Sequence, residues 1–193
     1  MNSTSTSTST SVSESTNSGE ACSGTLPRPH LAPLPFIYLR NLPYLRSLDL
    51  QQLLVDRQIR LRQQQEQRQE GSDAPKSSED LLLLVEHPPT YTNGRRNRGV
   101  KGLGEEEVIR LQKLGANYVE TLRGGEITFH GPGQLVAYPI LDIKASQLSV
   151  RCYVSFLEKA IIATCAEWGL KAMTTENTGV WINDQQKIAA IGN

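Results

Sequence analysis

The run Arg123-Gly124-Gly125-Glu126-Ile127-Thr128-Phe129-His130-Gly131-Pro132-Gly133-Gln134-Leu135-Val136-Ala137-Tyr138 constrains this chain more than any other stretch. Four glycines and a proline surround Thr128, His130 and Gln134, and the run then passes straight into apolar residues. Glycines bunched this way let the backbone approach a bound molecule closely, because no Cβ stands in the path. Arg123 at the entrance can grip a carbonyl or carboxylate, and Thr128 and His130 can supply directional hydrogen bonds. Read from the glycines alone, a turn-rich hairpin with nothing bound fits equally well.

The flanking chain supports a layered domain. Phe36–Leu39 has the makings of a short strand, and a helical pattern runs from Pro43 to about Gln69 with a partial apolar face at Leu50, Leu53, Leu54 and Leu61. The polar half from Arg60 to Glu70 is expected to project into water, and Gly71–Asp80 reads as an exposed linker. Leu81–Val85 is a continuous apolar run, suited to a strand covered on both faces. A helix is expected over Glu105–Leu114, with Glu105, Glu106 and Glu107 favouring its dipole. Strands are expected over Asn117–Thr121 and Gln134–Ile140, flanking the glycine-rich loop. Val150, Val154, Leu157, Ile161, Cys165 and Trp168 recur at three or four residues and mark an amphipathic helix ended by Gly169. Val180–Ile182 and Lys187–Ile191 are expected to form a hairpin about Asn183-Asp184. Strands interspersed with helices, without strict alternation, indicate an α/β or α+β domain.

Composition excludes several classes. Twenty basic residues balance twenty acidic ones, so no global field draws the chain to nucleic acid or membranes. Three cysteines without a spacing pattern give neither a zinc motif nor a disulfide framework, and reduced thiols are expected. Residues 1–35 differ from the rest: thirteen of the first eighteen are Ser or Thr, and prolines crowd Pro27 to Pro35. Such a segment cannot bury enough apolar surface to offset its ordering entropy, so 1–35 is read as a disordered tail and 36–193 as one globular domain.

The glycine-rich run resembles the signature of the lipoyl(octanoyl) transferase family. Three further segments support the match in the family's order: Val85-Glu86-His87-Pro88-Pro89-Thr90-Tyr91-Thr92-Asn93-Gly94, Thr178-Gly179-Val180-Trp181-Ile182, and Lys187-Ile188-Ala189-Ala190-Ile191-Gly192. The resemblance covers about Phe36 to Gly192. It implies a biotin/lipoate protein ligase-like fold, a mixed sheet packed by helices, incomplete at the C-terminus.

It further implies an enzyme that moves an octanoyl group from octanoyl-acyl carrier protein to a lysine of lipoate-dependent enzymes. Acceptors would be the lipoyl domains of 2-oxoacid dehydrogenases and the glycine cleavage H protein. A cysteine thiolate attacks the thioester, and the acceptor amine then takes the acyl group without ATP, so no cofactor is implied. Lys187 is the family's dyad lysine, placed to favour the thiolate and to move protons. Arg123, Gly124, Gly125, Glu126, Ile127, Thr128, Phe129 and His130 would line the substrate pocket, continued by Ala190, Ile191 and Gly192. Without the motif, Lys187 would read as an ordinary exposed lysine after a turn.

The family's cysteine lies in a Pro-Cys-Gly motif downstream of the Lys-Ile-Ala segment, and none of Cys22, Cys152 and Cys165 has that context. The expectation is a partial catalytic domain that is inactive by itself. Cys165 reads as a buried small hydrophobe and His87 as a loop anchor; Cys152, at a helix start, is the one thiol with an argument for reactivity. Arg95, Arg96, Arg98 and Lys101 could dock an acidic carrier protein or simply be solvated. Alternatives are an ATP-dependent lipoate or biotin ligase, and a non-catalytic protein that binds an acyl chain or carrier. The family's eukaryotic members are mitochondrial, but the first basic residue is Arg28, a weak presequence; the cytoplasm is the alternative.

Overall fold

The computed structural model describes residues 33–68, 79–94, 104–121, 123, 127–144 and 148–192. The Ser/Thr-rich tail up to residue 32, most of the Gly71–Asp80 linker, the basic loop from Arg95 to Lys101, and Gly124, Gly125, Glu126 and Asn193 lie outside the described residues. The elements are β1 (Phe36–Leu39), α1 (Tyr44–Arg68), β2 (Leu81–Val85), β3 (Thr90–Asn93), α2 (Glu105–Lys113), β4 (Asn117–Glu120), β5 (Thr128–His130), β6 (Val136–Ile140), α3 (Val150–Glu167), β7 (Val180–Asn183) and β8 (Gln186–Ala189).

Apolar β2 lies at the centre of a three-stranded sheet, parallel to β1 and antiparallel to β6. Leu83 and Val85 point to one face, as period two requires, and both are fully buried. A second three-stranded sheet has β3 at its centre, parallel to β4 and antiparallel to β5. There the buried positions are Thr90, Thr92 and Asn93, so this sheet buries polar side chains where the first buries hydrocarbon. β7 and β8 form a separate hairpin. Helix α1 packs on β6, α2 on β4 and α3 on β7. Mixed sheets packed by helices make this an α+β fold, as the sequence led us to expect.

Two short connections join the sheets. Residues 86–89 carry the chain from β2 to β3, and 131–135 carry it from β5 to β6. Two expectations need correction here: the glycine-rich run contains a strand, β5, and the His-Pro-Pro segment leads into another, β3. Neither has an apolar alternation that sequence periodicity could detect, because their inward positions are Thr and His.

Two helix expectations also shift. The polar half of α1 does not simply project, since Arg62 donates to Asp142 at 3.0 Å and lines a cleft of about 320 Å³ with Ile59 and Ile140. On α3, Cys165 is buried, but Val150 (55 % exposed) and Trp168 (81 % exposed) are not, because they stand at the two ends of the helix. Ser149 caps that helix by accepting the Cys152 N–H at 3.2 Å, and Gly169 (φ 71°) ends it in the left-handed conformation. Among the described residues no helix is long and apolar enough to cross a membrane.

Candidate active site

The signature run closes in a tight turn. Gln134 N–H donates to the Gly131 carbonyl at 3.1 Å, with Pro132 and Gly133 between them and Gly133 at φ 83°. Proline at the second position and a positive-φ glycine at the third is what a type II turn demands. Glu86 holds the tip: it accepts the Gly133 N–H at 3.4 Å and the Tyr38 hydroxyl, and Arg40 lies 3.7 Å away. The Tyr38 bond is the main reason its carboxyl titrates below the usual range. Gly131 is glycine for an internal reason. A Cβ there would stand 2.7 Å from the Phe129 ring, which leans on Tyr91 at 4.9 Å between centroids.

Where the two sheets meet, aromatic and polar side chains from five segments converge. His87 is buried, with Nδ1 2.7 Å from the Leu42 carbonyl and Nε2 3.1 Å from the Tyr138 hydroxyl. A carbonyl can only accept, so Nδ1 carries the hydrogen; burial lowers the pKa and keeps the ring neutral, and Nε2 accepts from Tyr138. Burial also pushes Tyr138 up to about 12. Tyr44, buried in the first turn of α1, lies 5.1 Å from the His87 ring and stacks on His130 at 5.5 Å, while His87 meets His130 edge-on at 5.7 Å. Tyr44 is also hydrogen-bonded to Arg123 and Tyr138. His87 is thus the loop anchor that its position before two prolines indicated.

Arg123 donates through Nε to Thr92 Oγ1 at 3.2 Å, and through Nη2 to Thr92 Oγ1 and the Thr92 carbonyl, both at 2.7 Å. These bonds hold it against β3. His130 has Nδ1 2.9 Å from Gln134 Oε1 and Nε2 3.3 Å from Thr92 Oγ1. Burial, with Arg123 and His87 nearby, lowers its pKa despite the opposing Gln134 bond. Thr128 pairs with Thr92 across the β3–β5 ladder, Ile127 is half-buried just before it, and Phe129 is 45 % exposed.

Lys187 occupies a different setting, exposed on β8. Its Nζ donates to the Thr178 carbonyl at 3.0 Å and lies 4.5 Å above the centroid of the Trp181 ring. The aliphatic stem runs over Gly179, where a Cβ would stand 3.2 Å from Lys187 Cε and 2.7 Å from the Ala189 carbonyl. Gly179 is at φ 128°, and its N–H donates to Glu158 on α3 at 3.0 Å. The hairpin turns at Asp184-Gln185, one residue later than expected. Asn183 Oδ1 accepts the Gln185 and Gln186 N–H groups at 3.0 and 2.9 Å. Ala190 and Gly192 are exposed and Ile191 is half-buried, beyond the end of β8.

The structure therefore brings Arg123, Thr128 and His130 together and sets Lys187 on the separate β7–β8 hairpin. It adds Tyr44, Thr92, Gln134 and Tyr138, which were not singled out as candidate site residues. Thr90 and Thr92 alternate on one side of a Thr-Tyr-Thr-Asn run, the one sequence signal that could have found Thr92. Cys165 is a free, buried thiol, as expected.

A family model described as the lipoyl protein ligase A/B catalytic domain matches residues 44–193. The zebrafish (Danio rerio) protein named octanoyl-[acyl-carrier-protein]:protein N-octanoyltransferase LIPT2, mitochondrial, is 47% identical over 132 residues, covering 68% of this chain and 57% of that protein. An octanoyltransferase of Desulfotalea psychrophila is 45% identical over 115 residues, covering 58% of this chain and 51% of that one. The chain thus spans about half the length of the curated relatives it matches. Among solved structures, P. falciparum LipL1 in complex with lipoate superposes with a TM-score of 0.51 at 15% identity, covering 78% of this chain and 41% of that one; this likeness concerns the fold alone.

Proposed function

We propose, from the premise that the chain belongs to the lipoyl protein ligase A/B catalytic domain family, that it serves as an octanoyltransferase. It would take an octanoyl group from octanoyl-acyl carrier protein and deliver it to a lysine ε-amine of a lipoyl domain. The observation that carries this reading is the shared name of two distant relatives, one animal and one bacterial, at 47% and 45% identity. The mitochondrial name of the animal relative supports the same compartment here.

The residues have a division of labour under this reading. The signature run, from Arg123 to the Gly131–Gln134 turn, holds the acyl thioester, with Arg123 and His130 fixed by buried partners. Lys187 handles protons, its ammonium steadied by a carbonyl and an aromatic face yet open to solvent. Ala190, Ile191 and Gly192 continue the acyl surface. The sulfur that attacks the thioester is the family's Pro-Cys-Gly cysteine, a motif in which none of Cys22, Cys152 and Cys165 stands. The 193-residue chain alone therefore forms no hydroxylamine-sensitive octanoyl adduct, which intact mass spectrometry after mixing with octanoyl carrier protein checks.

The decisive experiment supplies the full-length protein with octanoyl carrier protein and an apo lipoyl domain. The expected result is one octanoyl mass added to the lipoyl lysine without ATP. Transfer that requires ATP and free octanoate overturns the reading in favour of a ligase.

A further inference from the structure

Thr92 is fully buried on β3, and its hydroxyl oxygen has two lone pairs and one hydrogen. Arg123 Nε at 3.2 Å and Nη2 at 2.7 Å can only donate, and together they fill both lone pairs. The hydroxyl hydrogen is left for the Thr128 carbonyl or for His130 Nε2, each 3.3 Å away. Whichever it takes, the oxygen has no capacity for a third N–H.

We infer that Thr92 is a positioning residue that fixes the proton of His130: with Arg123 on both lone pairs of its oxygen, Thr92 turns its hydrogen to His130 Nε2, leaving the Nδ1–H tautomer with Nε2 as the acceptor. The Nδ1 hydrogen then goes to Gln134 Oε1 at 2.9 Å, which closes a directed chain from Arg123 through Thr92 and His130 to the signature turn. The groups facing the ring agree. Arg123, from the segment before β5, and His87, from the β2–β3 connection, both disfavour a positive charge there, and Tyr44 stacks on it from α1. If the octanoyltransferase reading holds, on which this consequence rests, His130 Nε2 is occupied by Thr92 and does not donate to the thioester carbonyl.

Imidazole nitrogen NMR on the 15N-histidine-labelled protein tests the inference. In the wild type, His130 Nε2 should give an acceptor-type (pyridine-like) signal and Nδ1 a protonated one. Thr92→Val keeps the volume and removes the hydroxyl. It should raise the His130 titration midpoint by about one pH unit, the shift produced by losing a hydrogen bond of ordinary strength to the neutral form. Thr92→Ser should leave the midpoint at the wild-type value, and the acid limb of the transfer rate should move with the midpoint in both variants. A proton on Nε2 in the wild type, which needs no variant to fold, overturns the inference, and so does an unchanged midpoint in Thr92→Val. Spectra as expected with no octanoyl transfer by the full-length protein or any of its variants would instead sink the transferase reading and leave the tautomer assignment standing.

Discussion

The bonds that tie Arg123, His87 and His130 into the sheet junction join residues 31 to 51 positions apart, whereas Lys187 is bonded to a carbonyl nine positions away. The first region is assembled by the whole fold, from α1, both sheets and their connections, and its polar groups are sheltered. The second is assembled by one hairpin resting on α3, and its ammonium stays wet. A molecule divided this way can lose the half proposed to handle protons to a local change while the half proposed to hold substrate remains intact, and the reverse requires a disturbance of the core.

The sharpest break in that comparison is Lys187→Met. Octanoyl transfer by the full-length protein should fall by about 10²–10⁴, the range for losing a positioned proton carrier, with an unchanged thermal melt because the side chain is exposed. A rate within a factor of two of wild type would remove Lys187 from the mechanism. Gly179→Ala comes next. It forces a side chain onto φ 128° and against the Ala189 carbonyl, which should cost about 1–3 kcal/mol in urea denaturation while leaving the His130 imidazole signals in place.

Acidification should strike the other half. Burial holds the folded-state pKa of His87 and of His130 below the ordinary 6.5. Between those values the unfolded chain binds more protons than the folded one. Their contribution is therefore fully present above about pH 6.5 and is lost as the pH falls through the lower folded values. The melting temperature should drop over that window, and His87→Gln should flatten the drop; a flat profile in the wild type would contradict the neutral, buried assignment. The smallest effect belongs to Gly131→Ala, whose new methyl meets only the exposed Phe129 ring. Swinging that ring aside should cost about 0.5–1.5 kcal/mol by denaturant titration.

Much of the framework was legible because local rules set it. Pro43 opens α1, the apolar run of β2 is bounded by polar residues, Gly169 ends α3, and each boundary falls within a residue or two of its expected place. β3 and β5 were hidden because their inward residues are Thr and His, which no hydrophobic period marks. Trp168 was misjudged for the opposite reason: it lies on the apolar stripe, but helical spacing says nothing of how far along α3 the neighbouring strands reach. Arg123 was read as facing a bound carbonyl, while three of its bonds hold it against Thr92, a partner that no spacing links to it.

What the amino-acid order settled alone was the family, the elements marked by an apolar run or period, and the helix end at Gly169, since dihedral limits and side-chain period act within a few residues. Only the folded molecule decided which nitrogen of His87 bears its hydrogen, what Arg123 holds, and that Lys187 stands apart on its own hairpin. Those depend on donors and acceptors brought together from distant positions, and on water being kept from one group and left to another.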